Sequence, residues 1–249
     1  MLDALAHRIA NQLLKRLPGP QITVGTGTPI VSFTFDDVPD TALSAGARIL
    51  EAHEARGTFY IAAGLLGREE ADRRLIGAEG CRELARRGHE IGCHTFAHGN
   101  LRDLSRRELT RDLDRNREAL AEIVPGPAPR NFAYPYNSAA LRHRPALSQR
   151  FRSARGGVTG INRGPTDRTY LRSFPLQQPE TSVGQLHAVI DELVRAPGWL
   201  IFFGHDLAET PTPYGCTPQS FEALVRHARD SGCTILTIDQ ALDRFAAAA

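Results

Sequence analysis

Residues 30–41 read IVSFTFDDVPDT, and the turn that follows the apolar run decides the fold. IVSFTF is rich in β-branched and aromatic residues, the composition of a buried strand. Two architectures alternate strands with helices: the doubly wound sheet and the barrel. A dinucleotide-binding sheet opens its first turn with glycines that cradle phosphate. Here the turn carries Asp36, Asp37 and Asp40 instead, which repel phosphate. The stretch therefore predicts an α/β barrel.

Outward from this stretch the strand-then-helix rhythm continues. Apolar, β-rich runs recur at TFYIA (58–62), EIGCH (90–94), NFAYP (131–135), SFPL (173–176), WLIFFGH (199–205) and TILTI (234–238). Helical patterns fill 40–56, 79–87, 105–123, 182–196 and 217–231. In the third of these, Ser105 and Glu108 have the spacing of a capping box, and Leu109, Leu113, Leu120 and Ile123 follow at roughly helical intervals. Residues 1–28 read as an N-terminal amphipathic helix and linker, with Leu2, Leu5, Ile9, Leu13 and Leu17 on one stripe and PGP ending it. The rest of the chain reads as one domain of alternating strands and helices.

With 249 residues, 41% of them hydrophobic, the chain can bury a sizeable single core. The net charge of +2 is spread along the sequence, which argues against a nucleic-acid partner. No apolar run approaches the roughly 20 residues of a membrane span. The first residues lack the uninterrupted apolar segment of a secretory signal, so the expected location is cytoplasmic. The N-terminal stripe would suit packing on the domain, a contact between copies in a homo-oligomer, or a contact with a membrane surface. Cys81, Cys93, Cys216 and Cys233 show no CxxC spacing and are expected as free, mostly buried thiols.

Barrel enzymes keep their chemistry at the C-terminal ends of the strands. There the chain offers Asp36 and Asp37, His94 with His98 one turn later, Pro135–Tyr136 after a strand preceded by Arg130, and His205–Asp206. Consecutive aspartates at a strand end point to opposite sides and could hold two different jobs. Two histidines four apart can share a metal from one side of a helical turn. Two imidazoles and one carboxylate leave a coordination position open, the arrangement of a catalytic zinc whose water is acidified toward neutrality. A second carboxylate to take the proton and a further histidine to protonate the leaving group would complete a hydrolase of C–N or C–O bonds. A carboxylate base also needs an orienting partner, for which Arg130 is the candidate. His7, His53, His89, His143, His187 and His227 lack such company and read as surface or packing residues.

The motifs TFDD (34–37), HTFAH (94–98), RNFAYPYN (130–137) and FFGHD (202–206), in this order, resemble the polysaccharide deacetylase family, the NodB-homology carbohydrate esterases of family 4. The resemblance spans about residues 29–245. It implies a distorted, TIM-like (β/α) barrel of about seven parallel strands. It also implies that Asp37, His94 and His98 bind a divalent metal, commonly zinc, although this ligand set accepts other first-row ions. Asp36 would then be the general base toward a metal-bound water, Arg130 its orienting partner and His205 the general acid. The backbone N–H of Tyr136 would stabilise the oxyanion, with Pro135, Tyr136 and Phe203 contacting substrate. The implied reaction removes an N-acetyl, sometimes O-acetyl, group from a sugar.

Departures from the family pattern carry expectations of their own. Val38 and Asn137 stand where glycines are usual; valine would continue an extended backbone, and asparagine tolerates positive φ. No acidic motif accompanies His205, since FRSARGGVTGINRGPTD offers no Asp before Asp167. Phe203 replaces a smaller aliphatic residue and would narrow the acyl pocket to acetyl or formyl. Tyr60, Tyr136, Tyr170 and Trp199 are the aromatic candidates for sugar contact, and residues 207–218 are expected to overhang the site. Two alternatives stay open: a related hydrolase acting on a small non-sugar amide, and a catalytically silent carbohydrate-binding domain.

Overall fold

A computed structural model describes residues 17, 19–177 and 182–247. Its strands are β1 (Gln21–Val24), β2 (Ile30–Asp36), β3 (Thr58–Ile61), β4 (Glu90–Cys93), β5 (Asn131–Ala133), β6 (Ser153–Arg155), β7 (Gly164–Asp167), β8 (Phe174–Pro175), β9 (Trp199–Gly204) and β10 (Thr234–Ile235). Seven of them run in the order β6-β5-β4-β3-β2-β9-β8, every pair parallel, and curve into a half-barrel. β10 pairs with the first two residues of β2. The helices are α1 (Arg48–Ala52), α2 (Ala78–Arg86), α3 (Arg106–Ile123), α4 (Arg144–Arg150), α5 (Val183–Arg195), α6 (Pro218–Asp230) and α7 (Ile238–Ala246). The α/β barrel architecture expected from the alternation is thus the one formed.

Period-two alternation along β2 sorts its side chains between two environments. Val31, Phe33 and Phe35 face the helices, where Phe33 and Phe35 pack edge-on against Phe221 of α6 at 5.4 and 5.5 Å between ring centres. Ile30 belongs to the separate cluster around Trp199 and Ile201 of β9, and Ser32 and Thr34 share its face. Ser32 accepts a 2.9 Å hydrogen bond from the Trp199 indole, and Thr34 donates to the Phe202 carbonyl at 2.9 Å. Asp36 continues this second face at the C-terminal end of the strand. Strands covered on both sides read as continuous apolar runs, which is why β2 and β9 were legible.

Several elements differ from expectation. The helix expected over 40–56 forms a wide π-type turn at Ala42–Ala47 before α1. Gly46 lies so close to Phe35 that a Cβ there would sit 2.8 Å from the ring. The run 234–238 is not one strand: Thr237 caps α7 by accepting from the Gln240 N–H, and Ile238 begins that helix. The expected linker contains β1, which pairs antiparallel with β7 from Gln21–Asp167 to Val24–Gly164. β6 and β7, short and polar, were not anticipated. The capping box at Ser105–Glu108 forms as read, with bonds of 3.2 and 2.7 Å. All four cysteines are unpaired and buried. Among the described residues no helix is long and apolar enough to cross a membrane. The N-terminal amphipathic helix expected up to Leu17 falls almost wholly outside the described residues.

Candidate metal centre and active site

At the end of β2 the backbone reverses abruptly. Asp37 and Val38 have φ of 58° and 56°, and the Val38 N–H donates to the Asp36 carbonyl at 2.5 Å, closing a γ-turn around Asp37. Val38 therefore does not continue an extended strand, contrary to expectation. A β-branched residue at positive φ is a strained outlier, held here because its side chain is fully buried. The turn separates the two aspartates, so that they meet different partners.

His94 follows β4 and His98 follows it by four residues, but no helical turn joins them. Thr95 and His98 have φ of 64° and 54°, and the segment is a loop. α3 shapes that loop: the Asp112 carboxylate accepts the Phe96 N–H at 2.6 Å and the Ala97 N–H at 3.1 Å. The two imidazoles come to 4.9 Å between ring centres. His94 Nδ1–H donates to the Ala133 carbonyl at 2.9 Å, which fixes the tautomer and leaves Nε2 with its lone pair. Burial pushes the His94 pKa down to about 4, so the ring is neutral as a metal ligand must be.

Asp37 Oδ1 lies 3.0 Å from His98 Nε2 and 3.6 Å from His94 Nε2. Among the described residues it accepts no hydrogen bond, although it is buried. Burial raises the Asp37 carboxyl, yet His98, His94 and His205 together hold it well below the usual carboxylate range. Ligand atoms of Asp37, His94 and His98 all fall within 4.8 Å of one another. An orphaned carboxylate oxygen facing two imidazole nitrogens fits a divalent cation, with three protein ligands and room for others.

Asp36 is 4% exposed and meets a different neighbour. Arg155 Nη2, at the end of β6, donates to its Oδ2, while Oδ1 is buried and has no hydrogen-bond partner among the described residues. The Arg155 side chain is fully buried, donates to Asn137 Oδ1 at 3.1 Å and lies over the Phe203 ring at 4.6 Å. Arg130, expected to orient Asp36, is elsewhere. It precedes β5 at the opposite end of the strand and pairs with Asp239 at 3.0 Å, half exposed. A residue before a parallel strand lies at the face opposite the one where strand ends deliver their side chains, so Arg130 cannot reach Asp36. The run SAR before two glycines was the available signal, and it is too short and polar to read as a strand.

His205 follows β9. Its Nδ1–H donates to the Tyr214 carbonyl at 3.2 Å, and its Nε2 lies 3.8 Å from Asp37 Oδ2. The Nδ1 partner of His205 is thus a backbone carbonyl. Asp206 secures the loop supplying that carbonyl, accepting from the Thr212 N–H at 2.8 Å and from its hydroxyl at 2.5 Å.

Asp36, Asp37, His94, His98 and His205 line a cavity of about 500 Å³ that also includes Tyr136, Asn137, Phe203, Tyr214 and Arg73. Tyr136 and Asn137 have φ of 56° and 51°, the conformation for which asparagine was expected to substitute for glycine. Pro135 is buried in that turn, and Tyr136 and Asn137 provide the wall. Of the aromatic residues expected to contact sugar, Tyr60, Tyr170 and Trp199 are buried, whereas Tyr136 is 62% exposed. Tyr214, not anticipated, is 55% exposed beside His205. A larger recess of about 640 Å³ borders β1, α4 and α7. Its Arg150, Arg152 and Arg168 are already partnered by carboxylates or carbonyls.

The sequence profile of the polysaccharide deacetylase family matches residues 23–150, about half of the chain. A chitooligosaccharide deacetylase from Sinorhizobium fredii is 29% identical over 113 residues, covering 45% of this chain and 49% of that protein. The chain spans about half or less of the length of the curated relatives it matches. Among solved structures, the chitin deacetylase of Colletotrichum lindemuthianum superposes with a TM-score of 0.63 at 21% identity, over 90% of this chain and 92% of that one. A family 4 acetyl xylan esterase from Clostridium thermocellum, solved with a cobalt ion, gives 0.59 at 21% identity over 86% and 91%. At these identities the structural likeness establishes the fold.

Proposed function

Because the chain belongs to the polysaccharide deacetylase family, we propose that it is a metal-dependent hydrolase removing an N-acetyl, or O-acetyl, group from a sugar or oligosaccharide. The observation that carries this reading is the convergence of Asp37, His94 and His98 within 4.8 Å in the same cavity as Asp36. The chemistry of that donor set suits zinc or another first-row divalent ion.

Asp37 Oδ1, His94 Nε2 and His98 Nε2 would hold the cation, which would supply the Lewis acidity for the hydrolysis. Asp36 accepts the water's proton through Oδ1, the oxygen that Arg155 leaves free. The oxygen of the attacking water forms the new bond to the acyl carbon, and the backbone N–H of Tyr136 donates to the developing oxyanion. His205 Nε2 then gives a proton to the departing nitrogen, or to oxygen in an ester, as the C–N or C–O bond breaks. Acetate and the free amine or alcohol are the products. The Tyr214 carbonyl keeps the His205 ring turned with Nε2 toward the reacting atoms.

Acetate release from N-acetylated chitin oligosaccharides, measured with added zinc, tests the reading directly. Asp36→Asn is expected to lower kcat on the order of a hundredfold or more while metal content stays at the parental level. Turnover near the parental rate in that variant would remove Asp36 from the role of base. Release from small amides but not from sugars would overturn the carbohydrate substrate.

A further inference from the structure

Resting on the metal-site reading above, we propose that Arg73 is a positioning residue for the metal ligand Asp37. Arg73 Nη2 holds Asp37 Oδ2 at 3.0 Å, on the oxygen that does not face the two histidines. A carboxylate can present either oxygen, or both, to a cation. With Oδ2 committed to a guanidinium, Oδ1 is the oxygen presented to His94 and His98.

The clamp is itself braced. Arg73 Nε donates to Glu70 Oε2 at 2.6 Å, within a short hairpin bridged at Glu69 and Arg74. That hairpin is tied to the turn after β2 by two backbone bonds: Ile76 N–H to the Val38 carbonyl at 3.0 Å, and Asp40 N–H to the Arg74 carbonyl at 2.8 Å. Leu75 and Ile76 anchor its far strand in the core. The segment bearing Arg73 and the turn bearing Asp37 are therefore held in register as one unit. The plainer interpretation is a surface arginine neutralising an acid. Against it, the Arg73 side chain is only 15% exposed, that of Asp37 is 6% exposed, and both line the cavity. Groups that orient metal ligands from behind change metal affinity or activity by about 10–100-fold when removed.

The test is a direct zinc titration of the metal-stripped full chain, using a competing chromophoric chelator, on the parent, Arg73→Ala, Arg73→Lys and Glu70→Gln. Thermal melting confirms that each variant is folded, and acetate release separates kcat from KM. Arg73→Ala is expected to weaken zinc about 10–100-fold and to lower kcat more than it changes KM. Arg73→Lys, keeping a cation near Oδ2, should recover part of the affinity, and Glu70→Gln should shift it in the same direction by less. Zinc bound by a folded Arg73→Ala variant as tightly as by the parent, or more tightly, overturns the positioning role. Should Arg73→Ala fail to fold, unchanged zinc affinity in both Glu70→Gln and Arg73→Lys overturns it equally. A parent that binds no divalent ion overturns this inference together with the metal-site reading, whereas zinc binding without acetate release sinks only the substrate assignment.

Discussion

Arg155 lies at the C-terminal end of β6 and is fully buried against Asp36, while Arg130 is half exposed at the other end of the neighbouring strand. The two arginines should therefore behave oppositely. Arg155→Met strands a buried carboxylate, which costs about 3–5 kcal/mol, and frees Asp36 to rotate; both kcat and melting temperature are expected to fall. Arg130→Ala removes an exposed pair of the kind that contributes about 0–1 kcal/mol, and its kcat should be indistinguishable from the parent. Combining Asp36→Asn with Arg155→Met removes the stranded charge, so the double variant should be more stable than Arg155→Met alone while remaining inactive. Phe203 is a second residue with a sharp expectation. Its ring is packed beneath Arg155 at 4.6 Å and lines the cavity, so it has little freedom to swing away from a larger acyl chain. Acetyl amides should be cleaved faster than matched butyryl amides, and Phe203→Val should narrow the difference; equal parental rates would rule out the narrow pocket.

Among the elements, α3 has a role beyond covering the sheet. Its Asp112 accepts two backbone N–H groups of the loop between His94 and His98. Arg115, about one turn further along the same helix, stacks 3.9 Å from the centre of the Phe96 ring. A loop with two non-glycine residues at positive φ needs such external support. Asp112→Ala leaves those N–H groups without their acceptor, a loss of about 1–3 kcal/mol, and lets His98 drift from His94. The expected result is weaker zinc binding in a still-folded protein, read by the same chelator competition; unchanged affinity would show that the loop holds its shape without α3. The loop after β9 is built on the same plan, with Asp206 gripping Thr212 so that the Tyr214 carbonyl reaches His205.

Across the whole molecule, the sheet and its helices are joined by polar clasps whose protonation matters. His89, between α2 and β4, accepts the Gly57 N–H on Nδ1 at 3.1 Å and donates from Nε2 to Glu51 at 2.9 Å. The ring must be neutral to do both, because a proton on Nδ1 would face the Gly57 N–H. Burial lowers the His89 pKa, against the pull of Glu51 in the other direction. With a folded value below the unfolded value of about 6.5, this residue's contribution is complete above that pH. It is lost as pH falls through the depressed folded value. The slope is at most about 1.4 kcal/mol per pH unit between the two. Melting temperature measured from neutral to mildly acidic pH should therefore drop faster in the parent than in His89→Gln; parallel curves would exclude this histidine as a source of acid sensitivity.

Local pattern sufficed for the barrel and for the residues at the strand ends. Asp36, Asp37, His94 and His205 are each announced by the apolar run they terminate, and parallel strands carry all such ends to one face. His98 stands out by a helical spacing that does not form; it comes beside His94 through a loop whose N–H groups Asp112 of α3 accepts. What could not be read locally were the partners that orient these groups. Arg155 is 119 residues from Asp36, and reaches it because β6 pairs in register with β5, Ala133 opposite Arg155. Arg73 depends on a hairpin docked against the turn after β2, Asp112 on the rotation of a helix about its axis, and the Tyr214 carbonyl on a loop stapled by Asp206. A strand's periodicity states which way its own side chains point. Which donor waits opposite is set by strand register and loop docking, and those exist only once the chain has closed on itself.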